Sequence, residues 1–252
     1  MKKTILAAAL ALAAPPAAHA QEAAPRLSLG ADMVSTYLLR GINVTDGPAA
    51  QPWGSLSLGS TGLSLGFWAS FAVTGRDGTV PYSDRITRRM VDEVDLMAGG
   101  ARTVGPVSLG AGYIAYVFPA PELDFVTQEI YASAALESAP LAPTLTLYYD
   151  FDGGDPAAMD SFAGLYATLG AAHSLRLGVP LDLGVVLAYT NQDGMRTRAG
   201  LNDVNGSAAA SLSLGPLTVT PSVNLTYVFE HNVYDPDGGP SVWAALEVKL
   251  ER

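Results

Sequence analysis

An all-β fold, a single antiparallel transmembrane β-barrel of about twelve strands with short periplasmic turns and longer extracellular loops, is predicted by three features of the 252-residue sequence. Apolar and polar residues alternate with a period of two and no 3.6-residue stripe competes, the pattern of strands with one apolar and one wet face. Connections between the alternating segments are short and long in turn. Aromatic residues gather at the segment ends on the long-connection side, where a ring with an apolar body and a polar tip suits a membrane interface.

Taken in order, segment 27–39 leads through a polar stretch at 41–50 to segments 51–59 and 63–73, which meet at Ser-Thr-Gly. In the third, Leu63, Leu65, Phe67, Ala69, Phe71 and Val73 oppose Ser64, Gly66 and Ser70. After a long connection at 74–90, segments 91–102 and 106–118 turn at Gly105-Pro106. The 119–124 stretch is expected as an outer loop, and segments 125–137 and 143–151 flank SAPLAP at 138–143. In the latter, Leu145, Leu147, Tyr149 and Phe151 alternate with Thr144, Thr146, Tyr148 and Asp150. Beyond the polar 152–160 loop come 161–173 and 180–190, joined by an LGVP corner, and beyond 191–202 come 203–214 and 216–229, joined at Gly215-Pro216. A last loop at 230–240 precedes segment 241–250.

Segment 216–229 shows the pattern at its clearest. Leu217, Val219, Val223, Leu225, Tyr227 and Phe229 form one face, and Thr218, Thr220, Ser222, Asn224 and Thr226 the other. The first face suits lipid and the second a wet interior, while closure of the barrel pairs every backbone group that lipid cannot satisfy. Pro221 has no N–H for the ladder, so a local bulge is expected there. Tyr37, Trp53, Trp68, Phe71, Tyr116, Phe118, Phe125, Tyr149, Phe151, Phe162, Tyr189, Tyr227, Phe229 and Trp243 fall near the outer strand ends, and Tyr131 falls mid-strand.

Residues 1–20 read as a secretory signal peptide: Lys2 and Lys3, an apolar run, then Ala18-His19-Ala20, with cleavage expected after Ala20. Residues 21–252 then form one barrel domain, exported to the cell outer membrane. Without Lys2 and Lys3 the 14 basic residues become 12, against 24 acidic ones, a net charge near −12 that argues against nucleic acid as a partner. No cysteine is present, so disulfides do not staple the fold.

The stretch "VSTYLLRGINVTDGPAAQPWGSLSL", residues 34–58, resembles the opening of the TorF-family porins, through Val34, Ser35, Tyr37, Arg40, Gly41, Ile42, Pro48 and Gln51. "EVDLMAGGARTVGPVSLGAGYIAYVFP", residues 93–119, is similar to a later strand pair of that family. The resemblance implies a proteobacterial outer-membrane barrel with outer-membrane lipid and lipopolysaccharide as surroundings, small solutes as cargo, and the barrel assembly machinery as a partner in biogenesis. Such barrels usually end on an aromatic residue, whereas this chain ends Val-Lys-Leu-Glu-Arg, with Leu250 in that role.

If the apolar faces meet lipid, the interior receives Asp32, Glu93, Asp95, Thr127, Glu129, Tyr131, Asp150, Asn224, Glu247 and Lys249, with Arg40 near the outer mouth. An acidic lumen concentrates cations and opposes anions. The expected function is passive diffusion of small solutes with a preference for cations. The alternative is that the same carboxylates pair with Arg40 and Lys249 and close the barrel, leaving a structural or surface-binding role; twelve strands stand between the filled eight-stranded and the open sixteen-stranded cases.

Loop residues Arg85, Arg88, Arg89, Arg196 and Arg198 are candidates for lipopolysaccharide phosphates, and a solvated loop is the plainer reading. Asp150, Asp152 and Asp155, and separately Asp235 and Asp237, place carboxylates beside glycine as calcium loops do, without the full twelve-position pattern. An outer-rim hydrolase would rest on His231 with those two acids, and His173 stands apart from it, so no enzyme, cofactor or transition-metal site is expected.

Overall fold

The computed structural model describes residues 24–45, 47–73, 91–120, 123–151, 163–192, 198–230, 232 and 238–251. The expected signal peptide with its cleavage point at Ala20, the loop residues Arg85, Arg88, Arg89, Arg196, Asp152, Asp155, His231, Asp235 and Asp237, and Phe162 lie outside the described residues.

Strand β1 (Arg26–Val34) is followed by a short hairpin, β2 (Tyr37–Leu39) and β3 (Ile42–Thr45), then β4 (Ala49–Ser57) and, after a 3₁₀ turn at Gly59–Thr61, β5 (Leu63–Ala72). Next come β6 (Val91–Val104), β7 (Val107–Ala120), β8 (Leu123–Ala135), β9 (Thr144–Asp150), β10 (Gly164–Leu177) and β11 (Val179–Thr190). The chain finishes with β12 (Gly200–Ala210), the short β13 (Leu212–Leu214), β14 (Leu217–Val228) and β15 (Gly239–Glu251). Successive strands pair antiparallel from β4 to β12; β12 pairs with β14, β14 with β15, β15 with β1, and β1 with β4. That ring is a closed barrel of twelve strands, with β13 prolonging the rim beside β14 and β2–β3 standing apart as a two-stranded sheet. Closure leaves no strand edge unpaired, which is what a bilayer demands of a sheet.

The two faces of each strand differ as the alternation requires. Along β14, Val223 is 58 % exposed and its neighbour Asn224 only 1 %. Leu217, Leu225 and Tyr227 share the outer face, whereas Thr220, Ser222 and Thr226 are buried inside. Leu65, Phe67, Leu96, Ile130, Leu147 and Val185 continue the apolar outer belt around the ring. In water a surface of that extent would drive association; in hydrocarbon it is solvated. On the inner face, the Tyr131 ring lies over the paired glycines Gly99 and Gly112, where a Cβ on either would collide with it.

Several expectations are corrected. The first strand leaves the barrel wall after Val34 rather than running to residue 39: Ser35 is still tied to Ala244, its N–H donating to that carbonyl at 2.9 Å and its Oγ accepting from that N–H at 3.0 Å, and then the chain turns inward. The expected loop at 119–124 shrinks to two residues, because β7 reaches Ala120 and β8 starts at Leu123. Pro221 causes no bulge. It stays in register with Leu246 of β15, and on its other side the ladder loses two rungs, between Ala209↔Ser222 and Leu212↔Val219, with no shift in register. The missing donor is accommodated where β12 gives way to β13.

The aromatic girdle also divides. Tyr149, Phe151, Tyr189 and Tyr227 face outward, but Tyr37, Trp68, Tyr116, Phe118 and Trp243 are buried inside, with Tyr131, Tyr148 and Tyr166. They belong to an internal apolar cluster that includes Val34, Ile42, Val44 and Ile114. The inward hairpin gives these rings something to pack on, so hydrophobic burial rather than the membrane interface places them.

Candidate functional site

The hairpin of residues 35–48 folds into the barrel. Its turn is built on Arg40 at φ 50° and Gly41 at φ 78°, positive values at both central residues, as a tight two-residue hairpin requires. Leu39 pairs with Ile42 and Leu38 with Asn43, and a one-residue irregularity follows before Tyr37↔Thr45. At the base, Thr36 Oγ1 donates to the Thr45 carbonyl at 2.7 Å. Gly41→Val should cost about 1–2 kcal/mol in this left-handed conformation, on top of the 3.2 Å approach of a new Cβ to Val228. The expected readout is a lower unfolding temperature from a loosened hairpin, with a smaller drop in Gly41→Asn because Asn tolerates positive φ.

The tip reaches the far wall. Counting around the ring from β1, β9 lies six strands away, diametrically opposite, with β8 and β10 beside it. Arg40 Nη2 donates to both carboxylate oxygens of Glu129 on β8, at 2.9 and 2.7 Å, and Tyr116 OH on β7 donates to the same carboxylate at 2.9 Å. The guanidinium carbon sits 4.4 Å from the centre of the Tyr166 ring and 5.2 Å from that of Tyr148, both at cation–π distance. Asn202 Nδ2 donates to the Arg40 carbonyl at 2.7 Å and to Asp203 Oδ2 at 2.8 Å, and Tyr166 OH donates to that same oxygen at 3.0 Å. A β-bulge explains the adjacent pair: register shifts between Leu187 and Tyr189 where they face β12, so Asn202 and Asp203 are both buried instead of alternating.

Nearer the root of the hairpin, Tyr37 OH donates to Glu93 Oε2 at 2.7 Å, and its ring is tilted against Trp68 at 5.3 Å. Burial, then the neighbouring Glu93 and Asp95 carboxylates, push the Tyr37 phenol well above its ordinary range, so it remains a donor. Burial works against the charge on Arg40, but the Glu129 carboxylate outweighs it and the guanidinium is held above its usual value.

Burial deepens towards this level along β10 and β15. On β10 the inward positions run from exposed Arg176 and Ser174 through half-buried Ala172, Gly170 and Thr168 to fully buried Tyr166. On β15 they run from half-buried Lys249, Glu247 and Ala245 to buried Trp243. Along β10 and β15 the interior is therefore half-exposed or exposed at the short-turn end and closed where the hairpin crosses, whereas on β14 it is buried from Thr220 on.

Of the interior residues expected from the sequence, Glu93, Asp95, Thr127, Glu129, Tyr131, Asp150 and Asn224 are buried inside, and Asp32, Glu247 and Lys249 are half-buried in the wider part. Glu129 and Arg40 meet, and Thr127 Oγ1 donates to Asp150 Oδ2 at 2.5 Å. Lys249 pairs instead with Glu251, which also holds Arg26 at the rim. Sequence reasoning missed Tyr37, Tyr116, Tyr148, Tyr166, Asn202 and Asp203 as members of the site. Strand parity already set Tyr148 with Thr146 and Asp150 on the inner face, whereas the bulge at Asn202 carries no sequence signal. His173 is exposed and pairs with Leu183 on the outer face.

No family model matches the chain, and no curated protein matches it in sequence. Solved structures with the same architecture include a KdgM porin at 12 % identity, covering 88 % of this chain and 98 % of its own, with a TM-score of 0.54. An outer-membrane channel from Pseudomonas putida matches at 12 % identity, 94 % and 98 % coverage and a TM-score of 0.55. The NanC porin matches at 10 % identity, 89 % and 98 % coverage and a TM-score of 0.53. At such identity the likeness establishes the porin-type barrel fold; nothing in it singles out the TorF family.

Proposed function

We propose that the chain is an outer-membrane channel for passive diffusion of small solutes, with the 35–48 hairpin as its constriction and a preference for cations. The observation that carries this reading is the gradient along β10 and β15 from a half-exposed interior to one crossing hairpin. With Arg40 and Glu129 cancelling, Glu93, Asp95, Asp150 and Asp203 leave the constriction acidic, and a narrow acidic passage favours cations. One KdgM porin structure holds oligogalacturonate, a polyanion; the acidic constriction here would repel such a cargo. The TorF-family resemblance supports the same reading, with outer-membrane lipid and lipopolysaccharide as surroundings and the barrel assembly machinery acting in biogenesis.

The test is single-channel conductance of the refolded mature chain in planar bilayers, with the reversal potential measured in a salt gradient. Stable steps with a cation-directed potential are expected, and Asp95→Asn with Asp150→Asn should move that potential towards zero. Silence from verified, heat-modifiable barrels would instead support the closed barrel with a structural or surface-binding role.

A further inference from the structure

On the wall facing the hairpin root, polar side chains from four adjacent strands meet in one row. Asp32 of β1 pairs with Gln51 of β4, and Ser70 of β5 with Glu93 of β6. The β4–β5 register, fixed by Ala50↔Phe71 and Trp53↔Trp68, sets Gln51 beside Ser70. Asp95 lies two residues from Glu93 on the same face, opposite Trp68.

Gln51, Ser70 and Glu93 have no exposed surface, and Asp95 has 4 %. Both polar atoms of the Gln51 amide, Ser70 Oγ and Asp95 Oδ1 find no hydrogen-bond partner in the protein. Glu93 Oε2 accepts from the Tyr37 hydroxyl, a neutral donor, and the Asp95 and Glu93 carboxyls are hydrogen-bonded to each other. The nearby guanidinium, Arg40, is engaged with Glu129. Two carboxyl groups and two neutral side chains are thus gathered out of solvent, with the Gln51 amide, Ser70 Oγ and Asp95 Oδ1 unsatisfied, an arrangement that costs several kcal/mol unless something fills it. Among the described residues no site gathers three or more acidic or histidine side chains, so any ion here leans on the neutral oxygens as well.

We propose that Glu93, Asp95, Gln51 Oε1 and Ser70 Oγ form a binding site for one hard divalent cation of the calcium class, set in the barrel wall at the root of the hairpin. An all-oxygen donor set with two carboxylates suits such an ion and gives no soft ligand for zinc or copper. When bound, the ion offsets Glu93 and Asp95, leaving Asp150 and Asp203 as the acids of the constriction, and through Glu93 and Tyr37 it ties the hairpin root to the wall.

The experiment uses the refolded full-length mature chain in detergent, stripped of metal and titrated with calcium chloride. Heat is followed by calorimetry, and the temperature of the folded-to-unfolded gel shift by heat modifiability. Saturable binding of about one ion per chain and a rise in that temperature are expected. Ser70→Ala, which keeps both acids, and Asp95→Asn should each weaken binding by roughly tenfold or more, the usual range for loss of a group that supports a metal site. Asp150→Asn, on β9 three strands further round the ring from β6, should leave it unchanged. No saturable binding, an equal effect of choline chloride, or binding untouched by both Ser70→Ala and Asp95→Asn, as the acidic loops would give, overturns the site. Conductance recorded in parallel separates the two ideas: a conducting barrel indifferent to calcium removes the site and keeps the channel, and a silent barrel that binds calcium does the reverse.

Discussion

Arg40→Ala is expected to raise single-channel conductance several-fold without unfolding the barrel. The guanidinium is the tether between the hairpin tip and the far wall, holding Glu129 at 2.7 and 2.9 Å and lying over the rings of Tyr166 and Tyr148. Its side chain is 7 % exposed and that of Glu129 not at all, so its removal leaves a buried carboxylate that keeps the Tyr116 hydroxyl as a donor. Breaking such a pair from one side costs about 3–5 kcal/mol. Even the lower figure shifts the docking of the hairpin by about two powers of ten, since 1.4 kcal/mol is tenfold. The twelve-strand ladder does not pass through Arg40, so the heat-modifiable gel shift should survive. Arg40→Lys should restore part of the constriction, because an ammonium keeps the charge and loses the flat stacking face. An Arg40→Ala channel with wild-type conductance would show that the hairpin does not set the constriction.

Val223→Arg should destabilise the folded state in lipid vesicles by about 2–4 kcal/mol, and Leu217→Arg by about 0–1 kcal/mol. Both side chains face outward on β14, but Val223 lies mid-strand and Leu217 at the end beside the short turn. Depth in the hydrocarbon is the variable that separates them, because an arginine near the interface extends its guanidinium to water and one at the centre must drag water in. Equilibrium unfolding of the refolded barrel in guanidinium chloride, in vesicles of fixed lipid composition, measures the difference. Equal costs at the two positions would mean that the apolar belt is not centred on the hydrocarbon.

The barrel was legible because period two is a local code. Each of the twelve wall strands carries its own alternation, and β14 reads from sequence as it is built, residue by residue. What failed was parity without a stated neighbour. Tyr37 and Leu39 continue the rhythm of β1, so residues 35–39 read as more wall, although Arg40-Gly41 between them and Ile42-Val44 is the signature of a two-residue turn. Once the hairpin is inside, the inner face is no longer uniformly polar: Ile114, Tyr116 and Phe118 point inward on β7 because apolar hairpin side chains are there to meet them. Their placement depends on a segment some seventy residues earlier in the chain, which no window of sequence contains. The Glu129–Arg40 pair was readable as a set of charges in one interior, but its geometry depends on a turn 89 residues away.

The hairpin also dates itself within assembly. Its bonds join Arg40 to Glu129 across 89 residues and to Asn202 across 162, and the seam between β1 and β15 joins the two ends of the barrel. Contacts of such separation form late, after the loop-closure entropy of everything between them has been overcome. A hairpin near one end of the barrel sequence therefore has its docking site completed by strands from the other end. Until β12 is in place, Arg40 has no Asn202 to hold its turn, and an unfinished sheet remains unobstructed. Constriction is in this sense a mark of completion, acquired in the step that makes the wall continuous.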